Sequence, residues 1–263
     1  MKTPTPSILT ISYAHPAQKP AAQAFAEAHE LPYQPLHKTR SDLSLNFTEM
    51  QLELVDLASK MTLVVDFIGG SLGHRKKYGG GKGQTIAKAI GLKQGKPIPS
   101  VLDATAGLGK DSYVLACLGC PVILVERSPI VAALVKDGIE RASLNIEFTN
   151  IINTGFILHN QDALDYIQAI EDNDKPDVIY LDPMYPEKKK SASVKKNMQM
   201  LQKLLGHDLD TDEVLSAALL KADKRVVVKR PKGAPPLDIK KQPTLSYESK
   251  GTRYDVYVIP ETL

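Results

Sequence analysis

No apolar run in the 263-residue chain approaches the ~20 residues needed to span a bilayer. The opening stretch MKTPTPSILTISYAHPAQKP also lacks the long apolar core of a secretory signal. These absences predict a cytoplasmic chain with no membrane partner. Cysteine is scarce: Cys117 and Cys120 are the only two, and they form a CxxC within VLACLGCPVILVE, at a predicted helix end and the turn into a strand. A zinc site needs more ligands than this pair, and none stand nearby, so the two read as buried structural thiols and no metal is expected. Internal repeats and long low-complexity tracts are missing too. Net charge is low, at +3, but the positive charge is clustered in HRKKYGGGKG (74–83), EKKKSASVKK (187–196) and KADKRVVVKRPKG (221–233). Clusters of this kind can track a chain of phosphates.

What is present is ordinary for a soluble globular protein, 43% apolar and 24% charged. From about residue 98 strand and helix patterns alternate. Strands are predicted at 100–104, 122–126, 155–159, 177–182 and 225–229, and helices at 109–118, 129–142, 162–171 and 212–222. That rhythm implies βαβ units and a parallel sheet, while TLSYES and YDVYVIP, joined by KGTR, form a terminal antiparallel hairpin. The predicted fold class is α/β, with a mainly parallel seven-stranded sheet in the layout of Rossmann-like class I methyltransferases. The first part breaks the rhythm. SILTISYA, SDLSLNF, MQLELVDL and TLVVDF read as short strands and AQKPAAQAFAEAHE as a helix. The sequence therefore divides into a small α+β N-terminal domain, 1–90, and a main domain, 91–263.

Two features of the main domain suit an adenosine-type cofactor. VLDATAGLGKDSYVLA is a strand ending in Asp103, a turn with Gly107 and Gly109, and a helix. Glycines there let the backbone approach a ligand closely, and the helix start offers free amide donors. The next strand ends at Glu126, an acid placed to accept hydrogen bonds from ribose hydroxyls. Nicotinamide cofactors and S-adenosyl-L-methionine share this geometry, so the fourth strand decides. VIYLDPMYPEKKK follows an apolar strand with Asp182, Pro183, Met184 and Tyr185. The order Asp, Pro, any residue, aromatic resembles the signature of methyltransferases acting on exocyclic amino groups, with Met184 where a second proline is usual. A carboxylate can orient a planar, weakly nucleophilic base amine, and an aromatic face can stack on a flipped base. Asp182, Pro183 and Tyr185 are the catalytic candidates. An oxidoreductase is disfavoured because no Tyr-x-x-x-Lys pair or strand-end histidine stands out. A non-catalytic RNA-binding factor would not need Asp182, Glu126 and the glycine turn intact.

The blocks VDFIGGSLGHRKKYGGGKGQTIAKAIG, VLDATAGLGKDSYVLACLGCPVILVERSPIVAALVKDGI, YLDPMYPEKKKSASVKK and VVVKRPKGAPPL resemble the ribosomal RNA small subunit methyltransferase J family. The resemblance covers roughly 64–237. It implies methylation of the N2 amine of a guanosine in 16S ribosomal RNA with S-adenosyl-L-methionine as cofactor, and a partner that is 16S ribosomal RNA or the small ribosomal subunit. It also implies cofactor contacts at Lys110 and Asp111, Glu126 and Arg127, Gln161 and Asp162, and Asp182, beside Asp103, Gly107 and Gly109. Gln161 and Asp162 depart from the small hydroxyl residues expected there. Arg75, Lys76, Lys77, Lys188, Lys189 and Lys190 are the candidate RNA contacts.

Overall fold

A computed structural model describes residues 8–69, 83–184, 194–205 and 211–260. Chain contacts divide it into two compact units, one of Met1–Val65, Pro129–Arg141 and Glu187–His207, the other of Asp66–Ser128, Ala142–Pro186 and Asp208–Leu263.

The first unit is built on a five-stranded sheet of β1 (Leu9–Tyr13), β2 (Tyr33–Pro35), β3 (Leu43–Phe47), β4 (Leu52–Asp56) and β5 (Met61–Leu63), in the order β2-β1-β3-β4-β5. β1 runs parallel to both β2 and β3, and β3, β4 and β5 form an antiparallel meander. Helix α1 (Lys19–Ala28) makes the crossover from β1 to β2, and its small Ala22 and Ala26 are fully buried where it packs on β1 and β3. Polar side chains buried in this sheet are satisfied in series: Ser44 Oγ bonds Ser12 Oγ at 2.7 Å, and Ser12 Oγ donates to Asn46 Oδ1 at 3.0 Å. The four strands and the helix expected from the sequence are present, and β2 is an additional one.

In chain order the second unit begins with α2 (Thr85–Ala89), which packs against the terminal hairpin. Then follow β6 (Val101–Asp103), α3 (Lys110–Cys117), β7 (Val122–Glu126), and α4 (Pro129–Ala142), which belongs almost wholly to the first unit. The path continues through α5 (Ile146–Gly155), β8 (Phe156–Asn160), α6 (Ala163–Gln168) and β9 (Val178–Leu181). It ends, after α7 (Val194–Leu205) of the first unit, with α8 (Thr211–Lys221), β10 (Arg225–Pro231), β11 (Leu245–Glu248) and β12 (Thr252–Val258). The seven strands lie in the order β11-β12-β10-β9-β6-β7-β8. β10, β9, β6, β7 and β8 are parallel, and β12 runs antiparallel between β10 and β11.

The apolar runs that predicted these strands are covered on both faces. All four residues of β9 are buried, as are Val226, Val227 and Val228 of β10. One face packs Leu102, Val125, Ile179, Leu181, Val226 and Val228 against Ile167 of α6 and Val214, Leu215 and Ala218 of α8. Side chains alternate along a strand, so Asp103, Tyr180 and Lys229 belong to the opposite face. Beneath the turn after β6, Phe67 packs its ring on Tyr113, Phe148 and Phe156 at centroid distances of 5.3, 5.6 and 5.8 Å.

Two helices were not expected. α5 is rich in Ile, Thr and Asn, poor helix formers, yet Asn145 caps it by accepting the Glu147 N–H at 2.9 Å, and Phe148 and Ile151 bury its inner side. α7 begins at the end of the basic run 187–196, whose charge does not announce a helix. Tyr185 and Lys188, Lys189 and Lys190 lie outside the described residues, as do Arg75, Lys76 and Lys77.

Candidate active site

The chain leaves the central strand β6 for β7 and β8, then returns to place β9 and β10 on β6's other side. At such a reversal the carboxyl ends of the strands open a crevice in which α/β sheets hold ligands. Asp103, Glu126 and Asp182 stand at the ends of three strands that meet there.

The turn after β6 is held from both flanks. Ala104 N–H donates to Tyr180 O at 3.0 Å and Ala106 N–H to Val125 O at 3.0 Å. Gly107 and Gly109 have φ of +52° and +69°, left-handed values that disfavour other residues. At Gly109 a Cβ would also come within 3.2 Å of Phe67 Cζ and 3.3 Å of Leu124 Cδ2. The turn thus takes its tight path over the aromatic cluster because its glycines have no side chain.

Glu126, at the end of β7, is buried at 7% exposure. Its Oε2 accepts the Gly107 N–H at 2.9 Å and its Oε1 the Ser128 N–H at 2.7 Å. Each carboxylate oxygen has two lone pairs, so the same group can brace the glycine turn and still receive ligand hydroxyls. Asp103 is buried and accepts a short hydrogen bond from Ser112 Oγ. Burial pushes its carboxyl up to about 7, against the pull of the Ser112 hydroxyl and helped by the charge of Asp111.

Asp111 lies in the first turn of α3, where a carboxylate suits the helix dipole, but its position does more than cap. Its Oδ2 accepts Tyr180 O–H at 2.8 Å and Lys229 Nζ at 2.7 Å. Lys229 Nζ reaches Asp182 Oδ2 as well, at 2.7 Å, so one ammonium joins two carboxylates. The Asp182 main chain is fixed separately, its N–H donating to Thr105 Oγ1 at 2.6 Å. The Asp182 side chain keeps 38% of its surface, enough for a substrate to reach it. Burial raises its pKa, against Lys229 and together with Asp111. Burial also opposes the Lys229 ammonium, yet Asp182 and Asp111 outweigh it and hold the lysine above its ordinary range. The Tyr180 hydroxyl, raised by burial first and by Asp111 next, remains a donor.

The other expected residues lie around this centre. Lys110 starts α3 and is exposed, as is Arg127 after β7. Gln161 is exposed after β8, its N–H donating to Glu126 O at 3.2 Å. Asp162 caps α6, accepting Leu164 N–H at 2.8 Å. Pro183, next in the chain after Asp182, is buried. The sequence reading missed Lys229 in this role, having counted it in a phosphate-tracking cluster. The signal was its place at the end of a strand neighbouring the one that carries Asp182.

The donor set fits S-adenosyl-L-methionine: a buried carboxylate at the second strand for a ribose, a left-handed glycine turn for close backbone approach, and surplus negative charge beside it for a sulfonium. Among the described residues no group of three or more His, Cys, Asp or Glu is arranged to hold a metal ion, and no helix is long and apolar enough to cross a membrane. Cys117 and Cys120 form no disulfide, and the second is buried.

Comparison with known proteins agrees with this chemistry. The family model for SAM-dependent methyltransferases matches residues 25–259. The chain is 52% identical to the ribosomal RNA small subunit methyltransferase J of Colwellia psychrerythraea, over 82% of this chain and 77% of that protein. It is 48% identical to the protein of the same name from Aeromonas hydrophila, over 93% of this chain and 95% of the other. A crystal structure of a SAM-dependent methyltransferase from Neisseria gonorrhoeae superposes with a TM-score of 0.73 at 34% identity, covering 97% of this chain and 98% of that one. With a family model spanning most of its length and relatives this similar, the chain belongs to the SAM-dependent methyltransferases, in the ribosomal RNA small subunit methyltransferase J family.

Proposed function

We propose that the chain methylates the N2 exocyclic amine of a guanosine in 16S ribosomal RNA, acting in the cytoplasm on the RNA or the small subunit. The observation that carries the reading is Asp182, a reachable carboxylate fixed at the end of β9 beside the glycine turn that Glu126 braces. S-adenosyl-L-methionine, when bound, supplies an electrophilic methyl group on a sulfonium.

In this reading Glu126 receives the ribose hydroxyls, Gly107 and Gly109 let the main chain close on the ligand, and Asp103 faces the methionine part. Lys110, Asp111, Arg127, Gln161 and Asp162 complete the cofactor contacts. Asp182 accepts one N–H of the guanine amine and turns the nitrogen lone pair toward the methyl carbon. The bound cofactor would give its methyl to the amine nitrogen and keep the C–S electron pair at sulfur, and the methylated amine would release a proton to solvent. Little proton transfer is needed before that point, so positioning supplies most of the catalysis. Pro183 stiffens the turn that aims Asp182, Tyr185 stacks on the flipped base, and Arg75, Lys76, Lys77, Lys188, Lys189 and Lys190 hold the RNA backbone.

Mass mapping of 16S ribosomal RNA tests the substrate. A strain without the gene is expected to lose one methyl from one guanosine-containing fragment, and the purified protein with cofactor is expected to restore it. An unchanged fragment pattern would refute the assignment. The cofactor role of Glu126 has its own check. Glu126→Ala is expected to weaken cofactor binding by about one to two orders of magnitude, since hydrogen bonds to a charged group contribute roughly 1.5–3 kcal/mol. Calorimetry reads this directly, and unaltered affinity would take Glu126 out of the site.

A further inference from the structure

We propose that Lys229 is the positioning residue of Asp182, holding one carboxylate oxygen so that the other meets the acceptor amine. This rests on the reading of Asp182 given above. The strand register carries the argument first. β9 and β10 pair in parallel from Val178↔Arg225 to Leu181↔Val228, so one further step sets Asp182 beside Lys229. Both residues have the parity that turns them away from the apolar cluster packed on α6 and α8. Backbone pairing, and not a chance rotamer, therefore brings the ammonium to the carboxylate.

The contacts carry it further. Lys229 Nζ lies 2.7 Å from Asp182 Oδ2 and 2.7 Å from Asp111 Oδ2, and the latter oxygen also takes the Tyr180 hydroxyl at 2.8 Å. The ammonium is thus located by two elements, α3 and β9, besides its own strand. With the Asp182 N–H already on Thr105 Oγ1, the carboxylate is fixed at backbone and at one oxygen. Its rotation about χ2 is restrained, and Oδ1 acquires a defined direction.

The charge balance points the same way. Asp182 has around it Asp111 from α3, Asp103 from β6, Tyr180 from β9 and Lys229 from β10, and the charge of Arg230 on β10 also reaches it. Without Lys229, Asp182 confronts two other carboxyl groups with Arg230 as the remaining cation among these. It then takes up a proton more readily and loses its value as an acceptor.

Loss of a plain ion-pair brace would lower stability alone, so the test reads orientation and charge. Lys229→Met, Lys229→Arg and Asp182→Asn are compared for melting temperature, cofactor affinity by calorimetry, and single-turnover methyl transfer across pH. In cofactor-free protein the Asp182 carboxyl is titrated by NMR. Lys229→Met is expected to bind cofactor within a few-fold of the parent and to transfer methyl about 10²-fold more slowly, the scale for a misplaced reacting group. Its acid limb and the Asp182 titration are expected at higher pH, and Lys229→Arg is expected to recover much of the rate. A Met variant with lowered melting temperature but the parent's rate, acid limb and Asp182 titration would overturn the proposal. Should that variant fail to fold, Lys229→Gln carries the same test, and an unmoved acid limb there overturns it equally. Full activity in Asp182→Asn would remove the role of Asp182 itself, a failure separable from that of Lys229.

Discussion

Asp182→Asn is expected to slow methyl transfer by about 10²–10³-fold, the scale for losing one preorganised hydrogen-bonding group, while the fold survives. The amide keeps the shape of the carboxylate and changes what it offers. Its single oxygen is claimed by Lys229 Nζ, which stands 2.7 Å from the native Oδ2. The NH2 group is then left facing the guanine amine, donor against donor. Stability should change little, because Asp111 still holds Lys229 at 2.7 Å and the Asp182 main chain keeps its bond to Thr105. The measurement is transfer of labelled methyl to undermethylated small-subunit RNA by folded, cofactor-competent protein. A rate equal to the parent's would refute the orientation mechanism.

Arg253→Leu is expected to act on stability instead, costing about 3–5 kcal/mol, because it leaves a buried charge without its partner. Asp255 is fully buried in β12, with Arg253 Nε and Nη2 on its two oxygens at 2.7 and 2.8 Å and Ser246 Oγ at 2.7 Å. Arg253 Nη1 also donates to Ala234 O at 2.7 Å, tying the segment after β10 to the hairpin. Removing the guanidinium strips Asp255 of two charge-assisted bonds, and Ser246 alone replaces neither. A fall in melting temperature on the order of 10 °C follows at ordinary unfolding entropies. Replacing Asp255 by Leu in the same chain should recover much of the loss, since an apolar pair needs no compensating charge. A thermal scan of the single and double variants decides it; an unshifted midpoint for Arg253→Leu would mean that the buried pair is not a net support.

How much could be read from the sequence follows from how local each signal is. β9 and β10 were legible because VIYL and VVV are apolar without alternation, as strands covered on both faces require. Asp103, Glu126 and Asp182 were legible because each closes such a run. α5 was not, because IEFTNIINTG has the composition of a strand or loop and becomes helical through the Asn145 cap and the burial of Phe148 and Ile151. Asp111 was legible as a residue of the first helical turn but not as the acceptor of Tyr180, 69 positions away. Lys229 was hidden among neighbouring basic residues. Only the pairing of β10 with β9 separates it from Lys232, which lies past the strand and bonds Glu248 at 2.8 Å.

That same pairing sets an order on the making of the protein. Asp111 and Lys229 are 118 positions apart, so at translation speeds of about 5–20 residues per second the carboxylate emerges roughly 6–24 s before its ammonium. β7, β8 and β9 are all synthesised in that interval, with Asp111 and then Asp182 still lacking the cation between them. The nascent sheet therefore carries two like charges at its growing edge until β10 docks, and docking joins the next parallel strand and neutralises part of that charge in one event. Catalytic competence is reached late in synthesis.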